Sequence, residues 1–186
     1  MTAFITANQV HLTNIGFPTI PNQDALLNGE ILIQTQSHSA WGGAVTAQMY
    51  LPLSRSRVWQ QITDYPRWVH YFPDLTHSEV LCHGKVKRLY QTAKKAFLMF
   101  TAQVEIYLQV FEVVHQAAQH VKFQMEKGSF ADFSADLCLQ DCGTGTLLTY
   151  TVKATPTIPV PSILIQEAMR LDLPANMRKM RQTICG

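Results

Sequence analysis

Thr101-Ala-Gln-Val-Glu-Ile-Tyr-Leu-Gln-Val110 decides the fold class. Ala102, Val104, Ile106, Leu108 and Val110 alternate without a break with Thr101, Gln103, Glu105, Tyr107 and Gln109. A period of two puts the two sets on opposite sides of a pleated strand, so one face is dry and the other wet. Such strands belong to antiparallel sheets with one side packed on a core. Tracts of similar character extend outward over 78–82, 84–92, 100–114, 121–125, 130–139 and 146–152. The links between them are short: His83-Gly84, Lys94-Lys95, Gln116-Ala-Ala118, Lys127-Gly128 and 141–145. Short links make consecutive strands antiparallel neighbours. Upstream, 30–37 and 44–51 read as a further strand pair about a turn at Trp41-Gly42-Gly43.

Helices flank this tract. After Pro52, Ser54 is placed to cap a short helix with Val58, Trp59 and Ile62 on one face, and Pro66 ends it. Asp64 opens a second short stretch carrying Trp68, Val69 and Phe72. At the other end, the proline-spaced Thr155–Pro161 is stiff and extended, and Ser162 starts a helix reaching about Gln182. Ile165, Met169, Leu173, Met177, Met180 and Ile184 form its apolar stripe, and Pro174 predicts a kink or a split into two segments.

Composition narrows the function. The 186 residues are 47% hydrophobic and 15% charged, which excludes a disordered chain. A net charge of +2 is too balanced for a protein devoted to the phosphate backbone, so no nucleic acid partner is expected. The first 28 residues lack periodicity and read as a tail or strap, and residues 29–186 as one domain. With no basic n-region, no continuous apolar h-region and no long apolar run, a cytoplasmic chain is expected. Cys82, Cys138, Cys142 and Cys185 are too sparse for a disulfide framework and read as free thiols, with no metal site at zinc-finger spacing.

The order of elements, together with Val58-Trp59-Gln-Gln-Ile62-Thr-Asp64-Tyr65, Phe72-Pro73-Asp74-Leu-Thr-His-Ser78-Glu79-Val80-Leu81 and Gly128-Ser-Phe130-Ala-Asp-Phe133, resembles the START-like (SRPBCC) superfamily over about residues 29–183. More narrowly it is similar to the polyketide cyclase/dehydrase branch, which includes the coenzyme Q-binding proteins. The resemblance implies an α+β helix-grip fold: a curved antiparallel sheet wraps a long C-terminal helix, with two short helices near the N-terminal side closing one end. It also implies an apolar cavity between sheet and helix that holds a hydrophobic small molecule such as a lipid, quinone or isoprenoid. The alternative is a cyclase, aromatase or dehydrase using the same cavity.

Within that expectation, Phe123, Phe133 and Tyr150 from the strands and Met169, Leu173 and Met177 from the helix face the cavity, and Trp68 and Tyr71 stand at its mouth. Tyr90 and Arg88 are polar candidates for orienting a ligand, although Val86-Arg88-Tyr90 and Lys87-Leu89-Gln91 compete for the inward phase. Lys85, Lys87, Lys94 and Lys95 read instead as a basic strand face, suited to transient contact with anionic headgroups at a membrane surface. No nucleophile elbow, phosphate loop or dinucleotide motif is present. The seven histidines are scattered, and His70 and Asp74 are the nearest approach to an acid/base pair; no catalytic residue and no cofactor is assigned.

Overall fold

The computed structural model describes residues 22–97, 100–157 and 162–186. Helix α1 spans Gln23–Leu27 and is followed by strands β1 (Leu32–Ser39) and β2 (Gly42–Leu51). Helix α2 (Arg55–Ile62), a 3-10 turn (Tyr65–Arg67) and helix α3 (Trp68–Tyr71) come next. Six strands follow: β3 (Leu75–Cys82), β4 (Lys87–Phe97), β5 (Phe100–Val114), β6 (Ala118–Gly128), β7 (Phe130–Cys142) and β8 (Gly145–Pro156). Helix α4 (Ser162–Cys185) ends the chain. The eight strands form one antiparallel sheet in the order β1-β2-β8-β7-β6-β5-β4-β3. The predicted α+β helix-grip architecture is therefore the observed one.

Several boundaries differ from expectation. Lys94-Lys95 is no link, because β4 runs through it and pairs with β5 as far as Phe97↔Phe100. Exposed Lys94 is compatible with a strand whose outer face meets water. Pro174 does not split the C-terminal helix, which is assigned as one element from Ser162 to Cys185. Of the predicted tail, residues 1–21 lie outside the described residues, as do residues 158–161 of the proline-spaced segment. The remainder of the tail forms α1, whose Leu26 packs with Cys142 and Leu147 on the side of the sheet away from α4.

The core lies between the other face of the sheet and α4. Inward residues repeat every second position, with Val45, Ala47, Met49 and Leu51 on β2 matched by Val121 and Phe123 on β6 and Leu137 and Leu139 on β7. Gly43 lies directly under α4: a Cβ there would stand 3.3 Å from Met169 Sδ and 3.2 Å from Gln166 Cγ. Trp68 is anchored from within, its indole N–H donating to the Ile62 carbonyl at 2.8 Å, while Ser78 Oγ donates to the Tyr65 carbonyl at 2.7 Å. No described helix is long and apolar enough to cross a membrane.

Trp68 is buried whereas Trp59 is only half-buried. Trp68→Ala should therefore cost about 3–5 kcal/mol, the range for a buried aromatic, and Trp59→Ala distinctly less. Urea denaturation of the two variants measures the difference, and equal losses would mean that α2 rather than α3 anchors the sheet.

Candidate functional site

Burial falls in one direction along α4, β6 and β7, and β8 carries a half-buried residue beside their ends. On α4, Met180, Met177 and Leu173 are buried and Met169 is half-exposed. On β6 the series is Val121, Phe123, then half-buried Met125; on β7 it is Leu137, Ala135, then half-buried Phe133; on β8 half-buried Val152 stands between buried Tyr150 and Ala154. The register sets these residues side by side, with Phe123↔Ala135 and Ala135↔Val152 in adjacent pairs. We read half-buried Met169, Met125, Phe133 and Val152 as the rim of an apolar opening between the N-terminal half of α4 and the β6–β7–β8 wall. Phe130 joins it because the register shifts between Phe130 and Asp132, and a bulge re-aims a side chain. Its ring centroid lies 5.5 Å from that of Phe133.

Beneath the opening the interior is filled by rings. Trp68 lies 5.1 Å from Phe123, 5.4 Å from Phe72 and 6.5 Å from Tyr150 between centroids, and Tyr65 contacts Trp68 and Phe123 at 6.1 Å each. Tyr150 is 6% exposed, and its hydroxyl has no hydrogen-bond partner among the described residues. Burial pushes that phenol well above the ordinary tyrosine range. A neutral O–H in an apolar wall is suited to donating to one polar atom of an otherwise apolar molecule.

The structure thus brings Phe123, Phe133, Tyr150, Met169 and Trp68 together around the opening and its floor. Leu173 and Met177 lie deeper on α4, with Met177 fully buried in the packed half. Tyr71 is also fully buried, and its hydroxyl donates to the Gln61 carbonyl at 3.0 Å, so it closes the floor and does not stand at a mouth. Arg88 and Tyr90 point away from the interior. Leu89 and Gln91 are the inward pair, since Leu89 meets Leu108 and Gln91 bonds to Ser78 Oγ at 3.1 Å. On the outer face Arg88 bonds to Glu126 at 2.9 Å, which with Gln109 holds that carboxyl below its ordinary range. Tyr90 stacks on Tyr107 at 4.7 Å there. His70 is exposed on α3.

Sequence reasoning missed a polar cluster at the opposite end of the inner face. Glu112 Oε1 accepts from Tyr65 O–H and from Lys87 Nζ, each at 2.5 Å, and Lys87 lies 5.5 Å from the Tyr65 ring centre. Burial first, and the Glu112 hydrogen bond second, raise the Tyr65 phenol far above its usual value. Lys87 accordingly does not belong to a basic outer face with Lys85 and Lys94. A hollow of about 520 Å³ opens beside this cluster, lined by Tyr65, Ser78, Val80 and Lys87 among others. The alternation itself carried the signal, because Glu112 continues the Val104–Val110 phase inward.

Residues 51–181 match the family model described as polyketide cyclase/dehydrase and lipid transport. No curated protein matches the sequence. Among solved structures, a STAR-related lipid transfer protein from Xanthomonas axonopodis is similar at TM-score 0.72 and 14% identity, over 84% of this chain and 94% of that one. A START superfamily protein from Mycobacterium smegmatis is similar at TM-score 0.65 and 11% identity, over 76% and 96%. The Zhui aromatase/cyclase from a Streptomyces species is similar at TM-score 0.58 and 9% identity, over 83% and 94%.

The buried phenols give a pH test. A phenol whose value is raised by folding keeps its proton longer in the folded chain, so its stability contribution is full below about pH 10, the free tyrosine value, and falls as pH rises past it. Urea midpoints should hold to about pH 10 and drop as pH rises above it. The drop should be smaller in Tyr150→Phe; an equal drop would place the Tyr150 hydroxyl in water.

Proposed function

Because the chain belongs to the polyketide cyclase/dehydrase and lipid transport family, we propose that it is a binder or carrier of a hydrophobic small molecule that enters at the N-terminal half of α4. The parallel loss of burial along α4, β6 and β7, with half-buried Val152 of β8 beside it, carries this reading. Four elements expose apolar side chains toward one space, and Met169 and Met125 supply unbranched thioethers that re-pack around different shapes. The Tyr150 hydroxyl is the orienting donor. A lipid, quinone or isoprenoid with one carbonyl or hydroxyl group fits that chemistry.

A cyclase or dehydrase would need ionisable groups at the ligand. On the inner face of β4 and β5, among the described residues, the charged groups are Glu112 and Lys87, which satisfy each other and Tyr65. Trp68 and Phe123 stand between that cluster and the opening. This separation favours binding without chemistry.

Displacement of an environment-sensitive dye by a series of fatty acids and quinones tests the reading. Saturable displacement is expected from the unaltered chain. Met169→Trp should weaken every ligand by narrowing the opening. Tyr150→Phe should weaken carbonyl-bearing ligands about two- to tenfold, the worth of one hydrogen bond at about 0.5–1.5 kcal/mol. Affinities unchanged in both folded variants would remove the opening as the binding site.

A further inference from the structure

Outside the opening, three reactive side chains meet on the outer face of the sheet. The register pairs His120 of β6 with Cys138 of β7, and Lys122 with Asp136. Cys138 Sγ is 3.6 Å from His120 Nε2, and His120 Nδ1 is 3.0 Å from Asp136 Oδ1. A carboxylate beside Nδ1 selects the tautomer that donates from Nδ1–H, which leaves the Nε2 lone pair facing sulfur. The thiol then donates to Nε2. Nucleophile, base and orienting carboxylate stand in sequence, the arrangement that activates a nucleophile.

A simple ion pair accounts for His120 and Asp136 but leaves the sulfur contact unused. All four cysteines are free, and no group of three His, Cys, Asp or Glu among the described residues is placed to hold a metal ion. Burial, and then the Asp136 carboxylate, push the Cys138 thiol up, so the neutral thiol needs a base to react. Next to His120, between β5 and β6, lies a hollow of about 540 Å³ with Phe111 and Val113 in its lining and Lys122 and His115 beside them.

The electrophile class follows from what surrounds the sulfur. Backbone N–H groups on both sides of Cys138 belong to the β6–β7 and β7–β8 pairings, so none is aimed at the oxyanion of an acyl-transfer intermediate. Conjugate addition passes through no tetrahedral intermediate: its charge develops on an enolate oxygen three bonds from the carbon attacked, away from these strand amides. We propose that Cys138, with His120 as base and Asp136 as positioning residue, is a nucleophilic site for α,β-unsaturated carbonyl compounds with an apolar tail directed toward Phe111 and Val113. Sulfur bonds to the β-carbon while the π electrons move onto the carbonyl oxygen as an enolate. The thiol proton passes to His120 Nε2 and then to the α-carbon as the carbonyl re-forms. The adduct keeps every atom of both reactants, with no leaving group and no oxidant.

N-ethylmaleimide, a conjugated carbonyl probe, tests this on the whole chain by peptide mapping in a mass spectrometer. At neutral pH, Cys138 should label about tenfold or more faster than the exposed Cys82 and Cys185, the low end of what a positioned base contributes. His120→Gln should bring Cys138 down to or below the rate of Cys82 while the other cysteines stay unchanged. Asp136→Asn should slow Cys138, and Asp136→Glu should restore part of the rate, which a merely structural aspartate would not do. A maleimide with a longer alkyl chain should gain rate at Cys138 and not at Cys82. In the unaltered chain, labelling of Cys138 no faster than Cys82 and Cys185 overturns the proposal without recourse to any variant. An unchanged rate in a folded His120→Gln variant overturns it equally.

Discussion

Between Gly43↔Ala154 and Leu51↔Thr146, two strands from opposite ends of the chain zip together along most of their length. Everything else hangs on that seam. It joins the β1–β2 pair to the strands β3 to β8, which otherwise pair only with their sequence neighbours. On the outer side the seam is stitched by Thr46 with Thr151 at 2.9 Å and Gln48 with Thr149 at 3.3 Å, and at its end Thr146 donates to the Leu53 carbonyl at 2.8 Å. Helix α4 packs chiefly on β2 and β1. Losing the seam would strip the helix from the wall that carries Tyr150 and Phe133, and the opening would cease to exist.

The same sheet sustains two different interiors. At the deep end, aromatic rings meet edge-on and tilted, and the polar cluster of Tyr65, Glu112 and Lys87 is satisfied within itself. Buried polar groups that are mutually hydrogen-bonded fix a core in one arrangement. At the shallow end, side chains are apolar, adaptable and incompletely covered, and a single phenol is left without a partner among the described residues. The two ends thus divide the work: one half of the helix is fully packed, and the other leaves apolar side chains partly uncovered.

Much of this was legible in the sequence, through alternation. The eight strands, the two short helical stretches and the inward set Phe123, Phe133, Tyr150 and Met169 all follow from period and breakers. Around Val86 to Gln91 alternation could not decide, because each phase mixes one cation with apolar or aromatic residues. Cross-strand pairing of Leu89 with Leu108 settled it and turned Arg88 and Tyr90 outward. Glu112 was overlooked although its phase was right, since a carboxylate on a dry face contradicts the pattern that locates it. The contact of Cys138 with His120 lay out of reach altogether. It depends on register between two strands, and a slip of one residue would send the pair to opposite faces.

Gly43 sets the distance between helix and sheet through backbone alone. Since Gln166, Ile165 and Met169 already come within 3.2–3.3 Å of where a Cβ would be, even a methyl group there would press on the N-terminal half of α4. The spacing of helix and sheet is thus governed by one position in β2, so homologous chains could retune the proposed opening while leaving the residues that line it untouched.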